Sequence, residues 1–152
     1  MHALLFTLLI ISFSAFSAGN NQIKNFNEAK KIALKLHKDH PYTIYCNCKY
    51  DGKVIDLKSC GYKVQKDAKR AARLEWEHVV PAEAFGNSFI EWREGTSECI
   101  KKGKKFKGRK CAEKNSEFSR MEADLYNLWP EDGELIPNPV CFYNNPSGLK
   151  QT

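Results

Sequence analysis

Glu77 and His78 stand side by side in the stretch Arg73-Leu74-Glu75-Trp76-Glu77-His78-Val79-Val80-Pro81-Ala82. An imidazole titrates near neutrality, which suits a general base acting on water. A carboxylate suits a hard divalent cation such as Mg2+. Adjacent side chains on an extended backbone point to opposite sides, so the two groups can touch different atoms of one site. Read as a bare dipeptide, they are far more simply part of an ordinary structural network. The second chemical feature is basic: Lys101 to Lys110 holds seven Lys or Arg residues in ten. Such a run is either a solvated loop or a source of phosphate contacts, which weaken with salt and carry no sequence information. Phe106 within it would stack on a base or anchor the loop.

These groups need elements to hold them. Asn25 to His40 reads as a helix, with Asn27 as a cap, Ala29, Ile32, Ala33 and Leu36 at helical spacing, and Pro41 as the stop. His37 and His40 at its end would be charges that suit the helix dipole. Tyr42 to Cys48 and Lys53 to Leu57 read as two short strands joined by a turn at Asp51-Gly52. Lys66 to Leu74 fits either a short basic helix or an extended segment. Ala82 to Trp92 is amphipathic and broken at Gly86, and Thr96 to Asn115 is loop-like. Ser116 to Leu128 reads as a helix with Phe118, Met121, Leu125 and Leu128 on one face and Pro130 just past its end. Trp76 and Trp129 are expected in the core, and Glu122 and Asp124 in solvent or bonded to loops.

The chain has 152 residues, enough for one domain, and nine Phe, six Tyr and three Trp exclude wholesale disorder. The net charge of +6 favours an acidic partner, nucleic acid or an anionic surface. Residues 1 to 18 lack Lys, Arg, Asp and Glu, and their apolar run is shorter than the ~20 residues a spanning helix needs, so they read as a signal peptide rather than an uncleaved anchor. Cys46, Cys48, Cys60, Cys99, Cys111 and Cys141 all follow it. An even count in an exported chain reads as three disulfides in an oxidising compartment, and Cys99 with Cys111 is the local pairing to test first. Zinc is disfavoured because the only close pair, Cys46-Asn47-Cys48, lacks ligand spacing.

The words around Glu77 and His78 resemble a family. Glu75-Trp76-Glu77-His78-Val79-Val80-Pro81-Ala82 with Phe85-Gly86 is similar to the signature of bacterial endonuclease I, periplasmic or secreted nucleases of the ββα-metal class. Phe118-Ser119-Arg120-Met121-Glu122-Ala123-Asp124-Leu125-Tyr126-Asn127-Leu128-Trp129-Pro130 resembles the family's metal-binding helix, and Tyr45-Cys46-Asn47-Cys48 its Tyr-Cys-Gly-Cys strand. The resemblance implies an α+β fold of mixed helices and short antiparallel strands around a ββα-metal motif. It implies His78 as general base, Glu77 and Asn127 as ligands of one cation, normally Mg2+ with Mn2+ as the alternative, and Arg109 on the scissile phosphate. Lys107 is the rival match for Arg109, and a helix-capping Asn the rival reading of Asn127. The implied activity is hydrolysis of DNA, with RNA left open, giving 5′-phosphate ends. A monomer free of the membrane is expected.

After Gly133-Glu134-Leu135 the family continues with an Asn and an Arg-rich segment. This chain instead reads Ile136-Pro137-Asn138-Pro139-Val140-Cys141 and on to Thr152. The codons for Pro137 to Cys141, read one nucleotide over, can encode Arg-x-Arg-Ser. The expectation is therefore a frameshift near Leu135, a domain over 19–135, a divergent coil over 136–152, and a Cys141 outside the disulfide framework. An inactive nucleic-acid-binding remnant of a nuclease is the rival functional reading.

Overall fold

A computed structural model describes residues 19–134. Residues 1–18, expected to be a signal peptide, and the expected coil over 136–152 with Cys141 lie outside the described residues.

Helix α1 (Phe26–Leu36) is capped by Asn25, not Asn27: the Asn25 side chain accepts a 3.0 Å hydrogen bond from the Glu28 amide. It ends at His37, before Pro41 is reached. Its small residues Ala29 and Ala33 are fully buried in a cluster with Ala123 and Leu128, flanked by Phe26 and Trp76. Strands β1 (Lys49–Asp51) and β2 (Val54–Asp56) pair antiparallel, with Tyr50 opposite Ile55, and the turn uses Gly52 at a left-handed φ of 56°. The expected strand over Tyr42 to Cys48 is instead a closed loop. Asn47 adopts a φ of 53°, which no strand residue can, while the Thr43 amide bonds the Cys48 carbonyl. A 3-10 turn, Leu57–Cys60, then brings Cys60 to Cys48 as a disulfide.

The ambiguous stretch from Lys66 is both things in turn. Asp67 caps α2 (Ala68–Ala71), and β3 (Leu74–His78) follows. Helix α3 (Ala82–Gly86) and helix α4 (Ile90–Arg93) bracket the expected break. Gly86 is required there by packing: a Cβ would sit 2.6 Å from Trp92 Cδ2. The basic run is more ordered than a loop. It forms a hairpin of β4 (Ile100–Lys101) and β5 (Lys104–Lys105), turned at Lys102-Gly103, followed by α5 (Arg109–Ala112). The Cys99–Cys111 disulfide closes its base, as the spacing suggested.

Helix α6 (Ser116–Glu122) is shorter than its apolar spacing implied. The Asp124 side chain accepts from the Tyr126 amide and caps a 3-10 turn, Leu125–Asn127, so the backbone leaves the α-helix. Leu128–Asp132 is then β6, antiparallel to β3, with His78 opposite Leu128 and Glu77 opposite Trp129. Of the expected helix face only Phe118 is buried within α6, packed against Phe85, Phe89 and Trp92; Met121 is exposed. The architecture is α+β, with helices around short antiparallel ribbons. No helix among the described residues is long and apolar enough to cross a membrane.

Candidate active site

The β3–β6 ribbon places His78 at the end of β3, where only 6% of it reaches solvent. Its Nε2 lies 2.8 Å from the Glu122 carbonyl oxygen. A carbonyl can only accept, so Nε2 carries the hydrogen and Nδ1 keeps its lone pair. The Phe26 and Phe85 rings pack beside it at 5.2 and 6.3 Å between centroids. Burial holds the imidazole pKa below its usual 6.5; the Glu122 bond opposes this, and the Arg109 charge adds to it. His78 is therefore neutral and can accept a proton at neutral pH.

Arg109 opens α5, and its Nε donates to the carboxylate of Glu122. The guanidinium lies 4.9 Å from the Phe26 ring centroid, and its Nη2 is buried without a hydrogen-bond partner among the described residues. An orphaned guanidinium nitrogen beside a cavity is fitted to an oxyanion. Glu122 is only 1% exposed, so of the two expectations for it the solvated one fails, and its partner is Arg109 of the basic run. Burial raises its pKa, and the Arg109 charge and hydrogen bond pull it back down. One residue thus anchors both functional groups, the imidazole through its main chain and the guanidinium through its side chain.

Glu77 is half-buried, and its carboxylate has no hydrogen bond or ion pair among the described residues. Burial raises its pKa while the Arg109 charge lowers it. A carboxylate held in a cavity with free oxygens fits a hard divalent cation. Glu77, His78 and Arg109 all line one cavity of about 1080 Å³, together with Phe26 and Trp76.

Asn127 is not brought to that cavity. Its Oδ1 accepts from the Val80 amide at 2.6 Å and its Nδ2 donates to the Val80 carbonyl at 3.0 Å. It lines a separate depression of about 630 Å³ with Val79, Val80 and Tyr126. Lys107 is exposed and absent from the cavity that Glu77 and His78 line, so Arg109 is the cation of the basic run that reaches it. Trp129 is 39% exposed and not a core residue. His37 packs edge-on against it at 5.2 Å, and burial lowers the His37 pKa, which weakens its role as a helix-end charge. Sequence reasoning missed Glu122 and Phe26 as parts of the site, since their contacts cross 44 and 52 residues to reach His78.

A second group of donor atoms, on Cys46, Glu131 and Asp132, lies within 4.8 Å of one another. Cys46 is disulfide-bonded, so it offers no thiolate, and both carboxylates are fully buried away from the cavity. Glu77, not this cluster, is suited to a catalytic cation.

Residues 12–138 match the profile of the endonuclease I family. The chain belongs to that family. Endonuclease I relatives include an extracellular deoxyribonuclease of Aeromonas hydrophila, 46% identical over 116 residues, covering 74% of this chain and 46% of that protein. A periplasmic deoxyribonuclease of the same organism is 43% identical over 118 residues, covering 75% and 45%. Endonuclease-1 of Buchnera aphidicola subsp. Baizongia pistaciae is 41% identical over 149 residues, covering 92% and 55%. The chain spans about half the length of the curated relatives it matches.

Proposed function

We propose that this endonuclease I family member is an exported nuclease that hydrolyses phosphodiester bonds of DNA, using one divalent cation and His78 as general base. The observation that carries the reading is the meeting, in one cavity, of a neutral buried imidazole, an unpaired carboxylate and an arginine with an orphaned Nη2. Its relatives' names, extracellular and periplasmic deoxyribonuclease, support the substrate and the export. The Cys48–Cys60 and Cys99–Cys111 disulfides support an oxidising compartment, periplasm or medium, reached through the leader over 1–18.

His78 Nδ1 takes the proton from water as its oxygen attacks phosphorus, and the Glu122 carbonyl holds the ring at Nε2–H while the imidazolium forms. Arg109 Nη2 donates to a non-bridging oxygen, meeting the charge that grows there. Glu77 would hold the cation, Mg2+ with Mn2+ as the alternative. When bound, that ion supplies Lewis-acid stabilisation of the phosphoryl and leaving oxygens. Asn127 serves as a second ligand only by leaving Val80 or by sharing its Oδ1 between the Val80 amide and the ion. The P–O3′ bond breaks as the new P–O bond forms, the 3′ oxygen leaves and takes a proton from solvent water, and the phosphate stays on the 5′ end of the product.

Plasmid nicking by the full chain tests this. Mg2+ should support cleavage, EDTA and His78→Ala should each abolish it, and the new ends should ligate without prior phosphorylation. DNA binding without cleavage in Mg2+ would instead favour a nucleic-acid-binding remnant.

A further inference from the structure

The catalytic groups account for only part of the cavity. At about 1080 Å³ it stands at the top of the ~300–1,000 Å³ range of small-ligand pockets, far more than one phosphodiester group fills. Beside apolar residues such as Leu34 and Leu74, its wall carries five further cations: Lys30 and Lys31 on α1, Lys53 at the β1–β2 turn, and Arg70 and Arg73 around α2. Arg70 and Arg73 are both spent on Glu75, through hydrogen bonds and ion pairs. Lys30, Lys31 and Lys53 have no ion pair among the described residues, and the other carboxylate of the wall is Glu77.

The placement of Lys30 is specific. Its Nζ lies 4.5 Å from the centroid of the Phe26 ring that also carries Arg109 at 4.9 Å and touches His78. The two cations can therefore be no further apart than the sum of those distances. Lys30 sits one turn after Phe26 on the same face of α1, so the helix itself delivers both. Lys30 has no carboxylate partner among the described residues, and Arg109, though paired with Glu122 through Nε, keeps an Nη2 with no partner among them, so each can still take an anionic oxygen. A nucleic-acid strand offers such oxygens in succession, one charge per ~3.4 Å of helix axis.

We propose that Lys30, with Lys31 and Lys53, forms a second phosphate subsite that holds a non-scissile phosphate of the strand whose neighbouring bond lies at His78 and Arg109. The position of the scissile bond rests on the proposed nuclease reading; the subsite itself is a binding claim. Phe26 is the positioning residue that sets the spacing between the two phosphates, carrying Arg109 and Lys30 on a single ring. The subsite reads charge and spacing alone, so it takes any base sequence.

The test is anisotropy of a fluorescein-labelled oligonucleotide with the full chain in EDTA, followed between 50 and 200 mM salt. Lys30→Met keeps the stem on Phe26 and removes the charge; Lys53→Met does the same at the turn. The slope of log K against log salt should become shallower by about 0.7 for each lysine removed on single strands and about 0.9 on duplex. Lys38→Met, exposed and outside the cavity, should leave the slope as it is. Unchanged slopes in the Lys30 and Lys53 variants, or an equal change from Lys38→Met, would overturn the subsite. Plasmid nicking by the unsubstituted chain keeps the two claims apart. Cleavage with unaltered variant slopes removes the subsite and leaves the nuclease; altered slopes without cleavage do the reverse.

Discussion

Replacing Glu122 with Gln separates the two anchoring jobs that this residue performs. The His78 Nε2–H bonds the main-chain carbonyl of Glu122, 2.8 Å away, which the substitution leaves in place. Arg109 bonds the carboxylate, which becomes a neutral amide. The guanidinium stays charged and can still donate to the Gln carbonyl, so what is lost is the ion-pair part of a half-buried contact, about 1–2 kcal/mol, between the ~0.2–1 kcal/mol of exposed pairs and the roughly 3–5 kcal/mol of buried ones. At 1.36 kcal/mol per factor of ten, kcat/KM for DNA cleavage should fall about 5–30-fold. The fall should be smaller than the roughly 100–1,000-fold expected when the phosphate donor itself is removed in Arg109→Ala. The acid limb of the pH profile should keep its midpoint, because His78 retains its bond. The assay is initial-rate cleavage of a fluorescent duplex across pH, with a thermal melt to confirm folding. A folded Glu122→Gln protein within threefold of the parent would refute the idea that this carboxylate positions Arg109. So would a displaced acid limb with an unaltered rate at its plateau, since that would put the side chain in control of His78 instead.

Three further outcomes follow from the same geometry. Because burial and the Arg109 charge hold His78 below its usual pKa, the active neutral form persists as pH falls, and the acid limb of kcat/KM should lie below about pH 6.5; a midpoint above that value would contradict the site. Glu134 takes hydrogen bonds from the Gln65, Lys66 and Asp67 amides and the Tyr62 hydroxyl. Burial works to raise its pKa, but those donors win and hold it at about 2. Its contribution is complete above the unfolded value of about 4.3 and is lost as pH falls toward 2, so Glu134→Gln should melt well below the parent at pH 7 and converge on it near pH 2; parallel melting curves across that window would refute this. Gly86→Ala should cost about 1–3 kcal/mol of stability by pressing its Cβ into the Trp92 ring, and Trp92→Leu in the same chain should recover part of it in urea melts.

What was legible in the sequence was what is local. Glu77 and His78 are neighbours in the chain, and Cys99 and Cys111 close a short loop that ends beside Arg109, so linear motifs could name them. Helix α1 was legible because Ala29, Ile32, Ala33 and Leu36 repeat at helical spacing. The stretch from Ser116 to Leu128 shows where that logic breaks down. Phe118, Leu125 and Leu128 have helical spacing, yet Asp124 diverts the backbone and Leu128 becomes the strand residue opposite His78. That pairing joins residues 50 positions apart, and it decides the site in two ways at once. It sets the Asn127 amide on Val80, and it leaves the end of α6 where the Glu122 carbonyl meets His78. Periodicity reports which residues share a face of one element; it carries no information on which distant strand that element will meet. The same limit hid Phe26, whose ring serves His78, Arg109 and Lys30 together. The chemistry of this site could be read from residue types, but its geometry depends on the β3–β6 register, so a substitution that shifts this register should scatter the site even with all its residues present.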